Sequence, residues 1–115
     1  MSGVDVISDH KLIAHMLLES ISSGLRGFVY DKSLVDDQAV RDVVSNTGIA
    51  GLLRRWEHGG IVVYYIDMRK LENICLYSEC NESKVKRICL NKCIIGKLKE
   101  VTEKIISSIK EAYNI

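Results

Sequence analysis

The six residues from Ile61 to Ile66, IVVYYI, restrict the fold more than any other part of the sequence. They are all β-branched or aromatic, carry no charge, and follow the turn signal His58-Gly59-Gly60. This combination predicts a β-strand that begins at a tight turn. Amphipathic helices are predicted both before and after it in the chain, so the sequence belongs to the mixed α+β class.

The first helix is predicted over Asp9 to Ser23, where apolar side chains recur at helical spacing. Ser8 or Asp9 is available as its cap, and Gly24 can end it. A closing helix is predicted from Gly96 onward. Its apolar positions recur at intervals of three and four residues, at Leu98, Val101, Ile105, Ile109 and Ala112.

The segment between the first helix and the apolar run contains a short strand, LRGFVY, and a stub at Leu34 and Val35. Asp36 then caps a second helix. The apolar positions of that helix change sides between its first half, around Val43, and its second half, which ends at Trp56. The helix therefore either breaks near Asn46-Thr47-Gly48 or is buried on two sides.

After IVVYYID, a turn at Met68-Arg69-Lys70 and two further strands, LENICLYS and VKRICLNKC, complete a three-stranded meander. The predicted order is α-β-β-α-β-β-β-α in a single domain, residues 1–115. It corresponds to an antiparallel five-stranded sheet with helices on both faces.

This order resembles the roadblock/LC7 family of profilin-like domains. Two segments carry the local similarity: LESISSGLRGFVYDK, residues 18–32, resembles the family's first helix and strand, and CIIGKLKEVTEKIISSI, residues 93–109, its closing passage. The resemblance implies a non-catalytic homodimeric adaptor in which the third strand and second helix of each subunit meet. It also implies a small GTPase or related regulatory protein as the partner.

The residue pattern independently favours a dimer, because an uncharged strand at a sheet edge invites pairing with another chain. The second face of the predicted second helix leads to the same expectation. The predicted dimer-interface residues are Ile49, Leu52, Trp56, Ile61, Val63 and Tyr65. Arg54 and Arg55 are predicted either to bind the partner, as arginine does at many interfaces, or to favour the helix dipole.

Four cysteines follow the spacing C-x4-C-x8-C-x3-C. If the last two strands form a hairpin centred on Glu82, Cys75 and Cys89 face each other across it as a disulfide or as two reduced thiols. A zinc site is the alternative, since four thiolates suffice for one. A single glutamine and frequent lysine are typical of thermophiles, some of which keep intracellular disulfides.

No residue pattern indicates an enzyme or a cofactor. The nucleotide-binding, nucleophile and zinc-protease motifs are missing from the sequence. Asp36 and Asp37 are expected to cap a helix, and His10 and His15 are too far apart around a helix to chelate a metal together.

The net charge is only +1, with twelve basic and eight acidic residues in positions 54–115. This imbalance supports an alternative function, a nucleic-acid-associated protein that uses its basic C-terminal half, although nucleic acid remains the less favoured partner. The basic residues in question are Lys84, Lys86, Arg87 and Lys92. No segment is long and apolar enough for a membrane span or a signal peptide, so we expect a cytoplasmic protein.

Overall fold

The computed structural model describes residues 5–115 and contains four α-helices and three β-strands in this range. The elements are α1 (His10–Ser22), β1 (Gly27–Asp31), α2 (Asp37–Ser45), β2 (Leu53–His58), β3 (Ile61–Ile66), α3 (Met68–Ser78) and α4 (Lys86–Tyr113). A single 3₁₀ turn, Ala50–Leu52, precedes β2. The mixed α+β class is as predicted, but the five-stranded sheet and the order α-β-β-α-β-β-β-α are wrong.

The sheet is antiparallel with the strand order β1-β3-β2. β3 is therefore the central strand, and the expectation that its apolar run lies at an edge is wrong. The predicted turn before β3 is confirmed: Gly59 and Gly60 have φ angles of 58° and 83°. A two-residue turn with both φ angles positive matches the twist of an antiparallel hairpin, and glycine adopts it without steric penalty.

The predicted second helix ends earlier than its apolar pattern suggested. α2 stops at Ser45, so the predicted break near Asn46-Thr47-Gly48 is the alternative observed. The helix was expected to end at Trp56, but Leu53–His58 form β2 instead. The Gly59-Gly60 turn explains the difference, because it folds the six residues before it back along the six residues of β3.

The two strands predicted after β3 are helical. Met68–Ser78 forms α3, whose first turn is capped by the side chain of Asp67, and α4 begins at Lys86. Each helix has apolar residues at a spacing of four, as a helix with one buried side does: Leu71 and Cys75 in α3, Cys89 and Cys93 in α4. The meander was predicted from their short β-branched and aromatic stretches, which favour strands, and not from this helical spacing.

The main core lies between the inner face of the sheet and the helices α1, α2 and the second half of α4. Of the two predicted caps, Ser8 and Asp9, it is Asp9 that caps α1, by accepting hydrogen bonds from the backbone amides of Lys11 and Leu12. The sheet contributes Phe28, Tyr30, Val62, Tyr64 and Ile66 to this core. The helices contribute mainly aliphatic side chains: Ile13, Leu17, Ile21, Val40, Val43, Ile105 and Ile109.

α3 and the first half of α4 form a helical hairpin that projects from this core. Two disulfides cross it, Cys75–Cys93 and Cys80–Cys89. The expected pairing of Cys75 with Cys89 is therefore wrong. Both bonds are nested about a point near residue 84, whereas the expected hairpin was centred on Glu82, and this shift of the turn changes the pairing.

The projection makes the molecule elongated, with principal extents of 64 × 33 × 21 Å. Its Cα radius of gyration is 16.4 Å, against about 13 Å for a compact domain of this length. α4 has 28 residues and so runs for about 42 Å. In the part of the chain that the structure describes, no helix combines the length and apolar character needed to cross a membrane.

Candidate functional site

The face of the sheet that points away from the helices carries several exposed apolar residues of the folded core. Residues paired directly across an antiparallel sheet lie on the same face, and the register places three rows of side chains here. The central row is Val29, Val63 and Trp56. One flanking row contains Tyr65 and Arg54, and the other contains Asp31, Ile61 and His58. We call this surface the outer face.

The apolar members of the outer face are accessible to solvent. Val29 is 62% exposed, Trp56 51%, and Ile61 and Tyr65 each 38%. Val63, at the centre, is partly exposed. None of the described residues covers this face. A large contiguous apolar patch on a globular protein usually marks an interaction site.

Two diagonally opposite corners of the outer face carry opposite charges. Arg54 ends the row that contains Tyr65, and Asp31 ends the row that contains Ile61, on the other edge strand. Arg54 lies 3.5 Å from Asp67 and keeps 62% of its side-chain surface exposed. The hydrogen bond from the Ser33 amide holds the pKa of Asp31 below its usual value, so Asp31 is ionised at neutral pH.

Four of the six predicted dimer-interface residues meet on the outer face: Trp56, Ile61, Val63 and Tyr65. The other two, Ile49 and Leu52, do not belong to it, because they are partly buried against the main core. Sequence reasoning missed Val29. The alternation in GFVYD, where Phe28 and Tyr30 are buried and Val29 is exposed, was the signal that could have identified it.

The two predicted partner-binding arginines point in opposite directions, as adjacent residues of a strand must. Arg54 belongs to the outer face, whereas Arg55 lies on the inner side and contacts α2. The helix-dipole explanation is wrong for both, since they lie in β2 and not at a helix end. Only Arg54 is placed to contact a partner on the outer face.

Arg55 is the centre of a partly buried polar cluster. Its Nη2 donates to Asp37 Oδ1 at 2.9 Å and to Glu57 Oε1 at 2.7 Å. The hydroxyl of Tyr30 donates to the same oxygen of Asp37, and Nε of Arg41 donates to Oδ2 at 2.9 Å. The cluster fixes the start of α2 to strands β1 and β2.

The pKa values in this cluster move away from neutrality. Partial burial alone would raise the pKa of Asp37, but hydrogen bonds from Tyr30, Arg41 and Arg55 lower it well below its usual value. Burial, together with the hydrogen bond to Asp37, raises the pKa of Tyr30 well above its usual value. A proton-transfer group is most effective with a pKa near the working pH. The pKa values of Asp37 and Tyr30 are shifted away from neutral pH, in opposite directions.

The disulfide hairpin carries a second set of exposed apolar residues outside the main core. They include Ile74 and Tyr77 in α3 and Ile88 and Ile95 in α4. All four cysteines are used in disulfides, and among residues 5–115 no three His, Cys, Asp or Glu side chains cluster to hold a metal ion. Of the four basic residues predicted for nucleic-acid binding, Lys86, Arg87 and Lys92 lie in the first part of α4, and Lys84 precedes this helix.

Comparison of the chain with protein-family models, with curated proteins and with solved structures gives no significant match.

Proposed function

We propose that this chain is a non-catalytic protein-binding module that forms a homodimer through the outer face. The observation that carries the proposal is the exposure of Val29, Trp56, Ile61 and Tyr65 around Val63 on a face without a covering element in residues 5–115. Burying these side chains between two sheets would remove them from water, which is the main driving force of stable association.

The charges favour a second copy as the occupant. An isologous interface must be complementary to itself. Such a dimer can have its two-fold axis in the plane of the outer face, perpendicular to the line from Arg54 to Asp31. This axis places Arg54 of one protomer over the partner's Asp31, and Asp31 over the partner's Arg54. The strands of the two sheets then cross steeply, which is one of the two usual geometries of sheet packing.

The alternative of pairing through a sheet edge has less support. The residues of β2 are largely charged or polar, with Arg54, Arg55, Glu57 and His58 among its six. Charged edge strands are a common protection against edge-to-edge pairing. At the other edge, the hydroxyl of Ser20 donates to the carbonyl oxygen of Gly27 at 2.6 Å and occupies one of the acceptors of β1.

The polar cluster around Arg55 supports a structural role and not an acid-base one, because its members are paired and their pKa values are shifted away from neutrality. The proposal therefore includes no catalytic residue and no cofactor. It does not depend on the roadblock/LC7 resemblance. A small GTPase or other regulatory protein as partner, and the nucleic-acid alternative, stay predictions.

Light scattering at several concentrations tests the dimer. We expect the wild-type mass to approach about 26 kDa, twice the chain mass of 13.0 kDa, and Val63→Lys to give 13.0 kDa. Tyr77→Lys is the matched control, since it places the same charge at an exposed aromatic position of the hairpin and should leave the dimer intact. Circular dichroism must show that both variants are folded. A wild type that stays monomeric at the highest concentration, or a folded Val63→Lys variant that stays dimeric, contradicts the proposal.

A further inference from the structure

The apolar pattern of α4 continues beyond the core that it helps to build. Ile88, Ile95, Thr102 and Ile109 recur every seven residues, and Asn91, Leu98 and Ile105 each follow one of them by three. Five of the seven are aliphatic, and Asn91 and Thr102 are polar. Residues at this a and d spacing form a single stripe along a helix. We call this set the α4 stripe.

The two halves of the α4 stripe have different surroundings. Ile105 and Ile109 are fully buried in the main core. Ile88 and Ile95 lie in the projecting part of the helix and are 56% and 69% exposed. α3 cannot cover them, because it packs on the opposite side of α4, the side that carries Cys89 and Cys93. Half of an otherwise core-forming stripe is therefore open to solvent.

The exposed half leads into a groove at the base of the hairpin. The groove has a volume of about 520 Å³ and lies between α4, the end of α1 and the end of β3. Leu98, Thr102 and Ile106 form its α4 side, and Ile21, Leu25 and Ile66 lie among the residues opposite. Because Leu98 and Thr102 belong to the α4 stripe, the stripe and the groove form one continuous surface that is mainly aliphatic.

The charges along this surface are mostly positive. Arg87, Lys92 and Lys99 flank the α4 stripe, and Arg26 lines the groove. All four are exposed, and none forms an ion pair with another residue between 5 and 115. Glu103 is the one acidic side chain among the described residues that line the groove.

We infer that the exposed half of the α4 stripe and the groove at its base bind an acidic amphipathic helix of a partner protein. A partner helix that packs along such a stripe makes its contacts through its own apolar residues at positions i, i+3, i+4 and i+7. Acidic side chains beside that apolar face would pair with Arg87, Lys92 and Lys99, as charges next to a and d positions do in coiled coils. A second copy fits less well, since it would bring two basic flanks together. This surface is separate from the outer face.

The probe is a synthetic peptide of about 21 residues, three heptads, with leucine at a and d and glutamate at the flanking positions. A scrambled peptide of the same composition has the same charge without the apolar face. Fluorescence anisotropy with the disulfide-bonded full chain should show saturable binding of the amphipathic peptide alone. Raising the salt concentration from about 50 to 500 mM should weaken the binding, because exposed charge pairs are screened.

Two pairs of variants separate the apolar contribution from the charged one. Ile95→Glu should weaken binding by about ten-fold or more, the loss expected for one well-buried aliphatic contact. Tyr77→Glu, its control on the far side of α3, should leave the affinity unchanged. Lys99→Glu should weaken binding, whereas Lys11→Glu, with the same charge change on α1, should not.

Failure of the amphipathic peptide to bind, or equal binding of the scrambled peptide, overturns the inference. So does an unchanged affinity of a folded Ile95→Glu or Lys99→Glu variant. A wild-type dimer that Ile95→Glu dissociates would show that a second copy occupies the stripe, which also overturns it. Val63→Lys should bind the peptide as the wild type does, so loss of the dimer and loss of helix binding are distinguishable.

Discussion

Trp56 lies directly opposite Val63 across the β2–β3 pairing, on the outer face of the sheet. It is the only tryptophan in the chain, so its fluorescence reports on this face alone. In the isolated chain its side chain is 51% exposed. We expect its emission to shift to shorter wavelength, and its quenching by acrylamide to weaken, as the protein concentration rises from about 1 to 100 μM and the dimer forms.

Val63→Lys is the control for this measurement. Its emission should stay at longer wavelength and should not change with concentration, because the variant remains a monomer. If the wild-type emission is equally independent of concentration while light scattering shows a dimer, the interface lies elsewhere on the molecule.

Asp37→Asn should lower the free energy of unfolding at pH 7 by about 1 to 2 kcal/mol, because it weakens several charged hydrogen bonds that partial solvent exposure screens. In the wild type the folded state lowers the pKa of Asp37. The stabilisation is therefore complete above the unfolded pKa of about 4 and is lost as the pH falls toward the folded pKa. Urea unfolding followed by circular dichroism at pH 7, 4 and 2 should show the two proteins converging at the lowest pH.

Asp42→Asn provides the comparison for this acid dependence. The hydrogen bond from His10 lowers the pKa of Asp42 as well, but its side chain is 48% exposed, so we expect a much smaller effect. A difference between wild type and Asp37→Asn that stays constant down to pH 2 would show that the ionised cluster does not contribute to stability.

Gly27→Ala should destabilise the protein by about 2 kcal/mol or more, the range for overpacking a tight core. A Cβ at position 27 would clash with the carbonyl oxygen of Tyr64 in the central strand. That oxygen belongs to the backbone, which cannot move aside as a flexible side chain can. Thermal unfolding should show the loss, and Gly59→Asn, at a turn with open space around it and a φ that asparagine tolerates, should be nearly neutral. Equal stability of Gly27→Ala and wild type would exclude this close approach.

The disulfide Cys75–Cys93 should contribute more stability than Cys80–Cys89, the pair nearer to the turn of the hairpin. Cys75–Cys93 spans 18 residues and Cys80–Cys89 spans 9, and the entropy lost by the unfolded chain grows with the length of the closed loop. Replacing Cys75 and Cys93 with serine should cost about 3 kcal/mol, and replacing Cys80 and Cys89 somewhat less. Peptide mapping without reduction should recover these two pairs. A Cys75–Cys89 linkage would contradict the structure.

The sequence was sufficient to predict α1 with Asp9 as one of its two candidate caps, strands β1 and β3, and the Gly59-Gly60 turn. These elements are specified by local chemistry, namely a capping carboxylate, β-branched runs and glycine at positive φ. β2 was missed because Leu52, Leu53 and Trp56 continue the spacing of a helix. The turn itself held the correcting signal, since a two-residue hairpin turn requires a strand on each side.

α3 and the first half of α4 were missed for a different reason. Their short stretches rich in isoleucine, cysteine and tyrosine have no clear helical preference, and tertiary contacts decide such segments. The contacts in question are the two disulfides, of which Cys75–Cys93 joins α3 to α4, and the burial of Leu71 in the main core. The pairing was wrong because the assumed hairpin was centred on Glu82, whereas Cys75–Cys93 and Cys80–Cys89 are centred near residue 84.

The outer face was predicted in part, since Trp56, Ile61, Val63 and Tyr65 lie together although the fold assumed for them was wrong. Alternation along β3 explains this outcome: residues 61, 63 and 65 share one face of any sheet that contains them. Ile49 and Leu52 were assigned to the interface only because a long second helix was assumed.

Because of the two nested disulfides, a reducing agent should affect the helical hairpin and not the rest of the molecule. Both bonds lie within residues 75–93, and the sheet, α1 and α2 contain no cysteine. A reductant would therefore loosen the tip of the hairpin, where Ile88 and Arg87 lie, and leave the outer face with its Trp56 unchanged. Two surfaces built on one short chain would then respond to separate cellular signals, one to redox potential and the other to protein concentration.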